Sequence, residues 1–179
     1  MLKPRWTVLA AMILVAALSR LVPHPPNLAS VSAVALFGGA YFSDRRMAFL
    51  VPLTALLLSD LVLGFHRGMP VVYCTFALIV WIGQWLQTNR SAPRILGAAI
   101  TSSVLFFLTT NFDVWAFGSM YPMTFDGLLA CYVAAIPFFW NTLQGDLLYT
   151  AVLFGGFRML EHRFTELRET AMPRGVTLA

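Results

Sequence analysis

Arg20, Asp60 and Asp146 are ionisable side chains set inside apolar sequence, and Asp146 stands in an unusually polar neighbourhood. Asn141, Thr142, Gln144 and Gly145 precede it and Tyr149 follows. Thr142, Asp146 and Thr150 recur at i, i+4 and i+8, which places them on one face of a helix. An ionisable group held inside a bilayer costs about 2.5–3.5 kcal/mol or more, so it faces protein or water and marks a functional position by default. Cys74, with Tyr73 beside it, adds a thiol that could ligate a soft metal. It has no second Cys or His at ligand spacing, so no metal site and no resident cofactor are expected. The chemistry these residues suit is recognition of a small polar solute. The competing role is structural: an Arg20–Asp60 ion pair and an Asn141–Asp146 hydrogen-bond network that hold helices together.

The elements that must position these groups are apolar. Hydrophobic residues make up 59% of the chain and charged ones 11%, against about 25% charged in ordinary soluble domains. Six apolar runs cover residues 6–22, 28–42, 47–64, 71–87, 95–110 and 127–157. Backbone polar groups cannot stay unpaired in hydrocarbon, so such runs are helices or a closed barrel. Their length and lack of alternation select helices. The expectation is an all-α integral membrane bundle of six transmembrane helices in residues 1–157, followed by a tail in 158–179.

Charge sets the orientation. If every run crosses, one side holds Lys3, Arg5, Arg45, Arg46, Arg90, Arg94, Arg158, Arg163, Arg168 and Arg174. The other holds only Arg20 and Arg67. Cytoplasmic segments carry the excess of Lys and Arg, so both termini are expected in the cytoplasm. The basic balance needs no nucleic-acid partner. Residues 28–42 cover about 22 Å as a helix, short of a core about 30 Å thick. A re-entrant hairpin is the competing reading there, but it would move Arg45 and Arg46 to the sparse side. Residues 6–19 also resemble a signal peptide; an uncleaved first helix is favoured because it carries Arg20.

Counted from the cytoplasmic helix ends, Arg20, Asp60 and Asp146 lie about 21, 20 and 18 Å deep, and Cys74 arrives at a similar level. They are expected to form one layer beneath the external loops 23–27, 65–70 and 111–126. Those loops contribute His24, Asn27, His66, Asn111 and Trp115 as candidate contacts, since function concentrates on loops. Trp115 and Tyr121 also suit an interfacial aromatic belt. Cys131 reads as an inert buried thiol, with a disulfide to Cys74 as the alternative on an oxidising side. The tail alternates Arg with Glu and is expected to be a solvated cytoplasmic face.

Catalytic signatures are missing. No G-x-x-x-x-G-K-[ST], G-x-S-x-G, H-E-x-x-H or C-x-x-C occurs, so ATP hydrolysis by a P-loop and the commonest hydrolase and thiol chemistries are set aside. No inverted duplication of the kind seen in many transporters is visible. A non-enzymatic role is expected; an acid–base enzyme built on Asp146 or Asp60 is the weakest alternative.

Longer motifs carry a resemblance. Arg20-Leu-Val-Pro-His-Pro-Pro-Asn27, Leu56-Leu-Leu-Ser-Asp-Leu-Val-Leu-Gly64, Thr110-Asn-Phe-Asp-Val-Trp115 with Tyr121-Pro-Met-Thr-Phe-Asp-Gly127, and Ile136-Pro-Phe-Phe-Trp-Asn-Thr-Leu-Gln-Gly-Asp146 are similar to a family of small bacterial membrane proteins given a transport role. That family resembles the substrate-binding S components of energy-coupling-factor (ECF) vitamin transporters. The resemblance implies a six-helix S-component-like fold in a bacterial inner membrane, with a small-molecule substrate site under the external loops. It implies uptake of a vitamin-like nutrient; the residues expected to bind it, from their depth and loop positions, are Arg20, His24, Asn27, Asp60, Tyr73, Cys74, Asn111, Trp115, Asn141, Gln144 and Asp146. Solitary cobalamin S components use a cysteine as cobalt ligand, and Cys74 would take that role only for a cobalamin. An ECF-type energising module or a homo-oligomer would be the protein partner, although Ala10, Ala11, Ala16 and Ala17 miss the Ala-x-x-x-Ala spacing that docks to such a module. A structural or assembly subunit of a membrane complex is the alternative from a different class.

Overall fold

A computed structural model describes residues 4–23, 25–28 and 31–168. Lys3, His24, Arg174 and the end of the tail lie outside the described residues. Among those described every regular element is a helix, with no strand. Helix α1 (Pro4–Leu18) ends in a 3-10 turn, Ser19–Leu21; α2 is Val31–Tyr41, α3 Arg45–Leu63, α4 Met69–Trp85 and α5 Ala92–Phe117. The last run begins as α6 (Phe125–Thr150), passes through a π-turn (Ala151–Gly155) and continues as α7 (Gly156–Arg163), with a 3-10 turn at Thr165–Leu167. Four helical segments are long and apolar enough to cross a membrane: Pro4–Leu21, Arg45–Leu63, Ala92–Phe117 and Phe125–Arg163. Val31–Tyr41 and Met69–Trp85 are apolar but shorter.

The short helix α2 is the centre of the bundle. Ten of the 11 residues of α2, Ser32 to Tyr41, are buried, and α2 packs on α1, α3, α4, α5 and α6. Leu28, the predicted first residue, is not helical: Pro23, Pro25 and Pro26 hold the incoming chain out of helical geometry, and a turn closes from the Leu28 amide to the Pro25 carbonyl. Asn27 takes a left-handed φ of 63°, a conformation Asn tolerates better than most residues. Close approach to neighbours depends on glycine. A Cβ on Gly83 of α4 would stand 2.4 Å from the Leu36 carbonyl oxygen, and one on Gly39 would stand 2.1 Å from that of Val80. Pro52, inside α3, seats its ring in the notch left by Gly38, where a Cβ would meet Pro52 Cγ at 2.3 Å.

Helix ends follow local chemistry. Asp44 caps α3, its carboxylate accepting from the Arg46 and Met47 amides at 2.8 and 3.1 Å, and Thr124 caps α6 through the Gly127 amide at 3.1 Å. These side chains satisfy amides that the first helical turn leaves unpaired. The predicted loop 111–126 needs correction. Residues Asn111 to Phe117 continue α5, because polar side chains do not by themselves stop a helix; the helix stops at Gly118.

Both described ends of the chain meet at one pole of the bundle. Arg5 of α1 is buried, pairs with Glu161 Oε1 at 2.6 Å and donates to the Leu167 carbonyl. Its guanidinium lies 5.2 Å from the Phe157 ring centroid and 5.8 Å from that of Tyr41, a cation–π geometry. The tail as far as Arg168 is largely exposed, as expected, with one exception. Leu167 is buried and the segment is pinned to α1. Phe37, Tyr41, Phe154 and Phe157 pack as an aromatic cluster beneath this contact, with centroids 4.8–5.9 Å apart.

Candidate functional site

At the opposite pole, the 3-10 turn after α1 presents Arg20 to α3. Arg20 Nη1 lies 2.7 Å from Asp60 Oδ1 and also donates to Ser59 Oγ. Tyr73 of α4 donates its hydroxyl to Asp60 Oδ2 at 2.9 Å, and Ser59 Oγ bonds the Leu56 carbonyl one turn back. Both Asp60 oxygens thus have partners, so the pair is balanced in charge and in hydrogen bonds, as a buried ion pair must be to persist.

Asp146 is placed differently. It is 1% exposed, accepts from Ser103 of α5 at 2.8 Å and from the Ala33 amide at 3.3 Å, and pairs with no cation among the described residues. The Ala33 amide belongs to the first turn of α2, whose unpaired N–H groups and dipole favour a negative charge. Asp146 therefore sits against the beginning of the central helix, with its charge offset only by dipoles. Ser32 lies beside it, buried, with its Oγ short of hydrogen-bond geometry to any described group.

These groups border a cavity of about 310 Å³ lined by Arg20, Asn27, Ser32, His66, Thr142 and Asp146, with Val31, Leu63, Val72 and Phe106 as its apolar walls. An adjoining cavity of about 280 Å³ shares Asn27, Val72, Phe106 and Thr142 and extends the space to Asn111. Pockets that take small molecules run from about 300 Å³ upward and combine apolar walls with a few convergent polar groups. Asn141 Nδ2 donates to the Pro26 carbonyl at 2.9 Å, tying the 25–28 loop across α6 at the cavity edge. No Asn141–Asp146 network forms, because Asn141 is engaged with this loop.

The expected residues divide accordingly. Arg20, Asn27, Asn111 and Asp146 line the two cavities, and Asp60, Tyr73 and Asn141 support them; His24 lies outside the described residues. Three placements are corrected. Cys74 is exposed on the outside of α4, away from the cavity; Thr75, about 100° further round the helix, is the inward residue and bonds Thr109 at 2.8 Å. Gln144 is exposed on α6, two residues out of phase with the inward Thr142–Asp146 face. Trp115 donates Nε1 to the Pro122 carbonyl at 3.0 Å, closing the 118–124 loop on α5 and leaving the cavity to others. Cys131 is buried against the Asn111 carbonyl, and both cysteines are free. Among the described residues no three His, Cys, Asp or Glu side chains come together as a metal-ligating group.

Sequence reasoning missed Ser103 and Ser32. Both lie among many Ser and Thr residues in apolar helices, and only the i, i+4 relation of Ser103 with Ala99, a small buried residue, hints at an inward face.

A family model described as a family of unknown function (DUF6580) matches residues 1–169, so the chain belongs to that family. No curated protein and no solved structure matches the chain.

Proposed function

We propose that this member of the DUF6580 family is a membrane solute-binding protein of a bacterial inner membrane. Its six helices would be threaded through the bilayer with both termini in the cytoplasm, in the manner of an ECF S component. The chain would take up a small, vitamin-like nutrient. The single observation that carries this reading is the cavity bordered by Asp146 and Thr142 at the pole opposite the two chain ends. Eight of the twelve Lys and Arg residues, Arg5, Arg45, Arg46, Arg90, Arg94, Arg158, Arg163 and Arg168, lie toward the chain-end pole among the described residues. That asymmetry supports a cytoplasmic chain-end pole and an outward cavity.

The balance of charge in the cavity speaks to the solute. Asp60 already neutralises Arg20, whereas Asp146 has only dipoles against it. An uncharged or weakly charged solute bearing N–H or O–H donors is the best complement. The 25–28 loop held by Asn141 and the His66 loop are the segments that would close over it. The helix-holding alternative is favoured by one observation, the internally satisfied Arg20–Asp60–Tyr73 set, and we assign that set a supporting role. An assembly subunit predicts a filled interior, which is hard to reconcile with open space beside Asp146.

The test is ligand identification. Protein purified from native membranes is expected to carry a small molecule detectable by mass spectrometry, or to gain thermal stability with one member of a vitamin and nutrient panel. Asp146→Ala removes a charged hydrogen-bond acceptor, worth about 1.5–3 kcal/mol, and should weaken that ligand at least tenfold. Thr142→Leu, which fills the space without touching the α2 amides, should do the same in a folded protein. A wild-type protein with neither a co-purifying molecule nor any stabilising panel member contradicts the proposal.

A further inference from the structure

The arginine-rich pole holds a second cavity, of about 310 Å³, between α5, α6 and the π-turn. Its polar wall is Arg90, Arg158, Tyr41 and Thr150, and no carboxylate among the described residues lines it. Arg90 is already positioned: its Nε donates to the Ala40 carbonyl at 2.9 Å and its guanidinium stands 4.5 Å from the Tyr41 ring centroid. Arg158 is exposed beyond the π-turn on the other wall. Thr150 is 5% exposed, and its hydroxyl has no hydrogen-bond partner among the described residues. A helical Thr ordinarily returns such a hydroxyl to the carbonyl one turn back. A buried hydroxyl left unmade costs about 1–3 kcal/mol, so its place in this wall points to a missing acceptor. The π-turn itself interrupts the helix in the cavity wall, and such turns recur at functional sites.

We infer that this cleft binds the phosphate of an anionic phospholipid, with Arg90 and Arg158 as its cationic walls and Thr150 as a donor. Guanidinium groups suit phosphate because their N–H donors match its oxygens. The rest of the cleft is apolar: Ile95, Leu96, Leu147 and Phe154. Free phosphate has no use for that surface, whereas an acyl chain leaving the headgroup does. Basic pockets between membrane helices on the cytoplasmic side bind lipid headgroups for this reason. The inference rests on the bilayer placement proposed above but not on the identity, or existence, of a solute in the outer cavity.

Native mass spectrometry of the full chain in detergent, titrated with phosphatidylglycerol or phosphatidylcholine, tests it. Phosphatidylglycerol is expected to form adducts at least tenfold more tightly. Arg158→Gln should abolish that preference, and Thr150→Val, nearly isosteric, should reduce it about threefold, the size of one modest hydrogen bond. Arg163→Gln, at the same pole but outside the cleft, should leave it unchanged. Thermal shifts with sodium phosphate alone separate the two sources of a phosphate group. Equal binding of the two lipids overturns the inference. So does stabilisation by inorganic phosphate without lipid preference, and so does an equal loss in Arg163→Gln and Arg158→Gln.

Discussion

Arg20→Met is expected to lower stability by about 3 kcal/mol, because removing one partner of a buried ion pair strands the other charge. Asp60 is 3% exposed and would keep only the Tyr73 hydroxyl. For a chain of this size that loss corresponds to roughly 6–12 °C in the thermal midpoint, measurable by scanning fluorimetry in detergent. The double variant Arg20→Met/Asp60→Leu should recover most of it, since replacing both charges by apolar groups of similar volume is often neutral. If the single and double variants fall equally, the pair is not the unit the geometry describes. A full recovery with undiminished ligand binding would confirm that Arg20 and Asp60 support the cavity without contacting the solute.

Gly83→Val is expected to have the larger effect, loss of the folded protein. Its Cβ would enter within 2.4 Å of the Leu36 carbonyl oxygen and 3.0 Å of Gly39 Cα. Both are backbone atoms of the central helix, and neither can turn aside as a flexible side chain would. Membrane helices approach closely through small residues because lipid gives them no hydrophobic drive to associate. The α2–α4 contact is the most extensive in the bundle, so prising it open removes packing along the whole of α2. Gly97→Ala is the matched control: no atom lies within 4 Å of its added Cβ, and the helix should gain up to about 1 kcal/mol. Expression and size-exclusion behaviour of the two variants check the contrast. A monodisperse Gly83→Val protein with wild-type stability would mean that α2 and α4 do not pack as described.

How much of this is legible in the sequence follows from what each signal measures. Apolar runs measure where a helix can sit in hydrocarbon, and they locate α1, α3 and α4 to within a few residues and the start of α6 to within two. They do not measure where a helix stops, so α5 was expected to end at Thr110 when its stop is Gly118. Counting along the helices gives height but not azimuth. Height correctly brings Arg20, Asp60 and Asp146 to one end of the bundle. Azimuth requires a contrast between faces, and α4 is apolar all round, so nothing in its sequence says that Thr75 points inward and Cys74 outward. On α6 the contrast exists, in Thr142, Asp146 and Thr150, and there the inward face is read correctly while Gln144 falls off it.

Two features escaped for a deeper reason. Asp146 takes its amide from Ala33, which is 113 residues away, and a main-chain donor leaves no mark on residue type. Arg5 reads as one more cytoplasmic cation, yet the aromatic rings of Tyr41 and Phe157 and the carboxylate of Glu161 let it be buried. Each partner is ordinary in its own segment. Only the tertiary arrangement turns them into a site.

The central claim is that the space beside Asp146 opens to the exterior while the chain ends lie inside. Thr142→Cys in a background lacking the native thiols (Cys74→Ser, Cys131→Ser) measures this directly, using a membrane-impermeant maleimide on right-side-out and inverted vesicles. Residue 142 is expected to react from the outside alone, and Arg163→Cys in the same background from the inside alone. Modification of residue 142 only in inverted vesicles, or of both positions from the same side, would contradict the account.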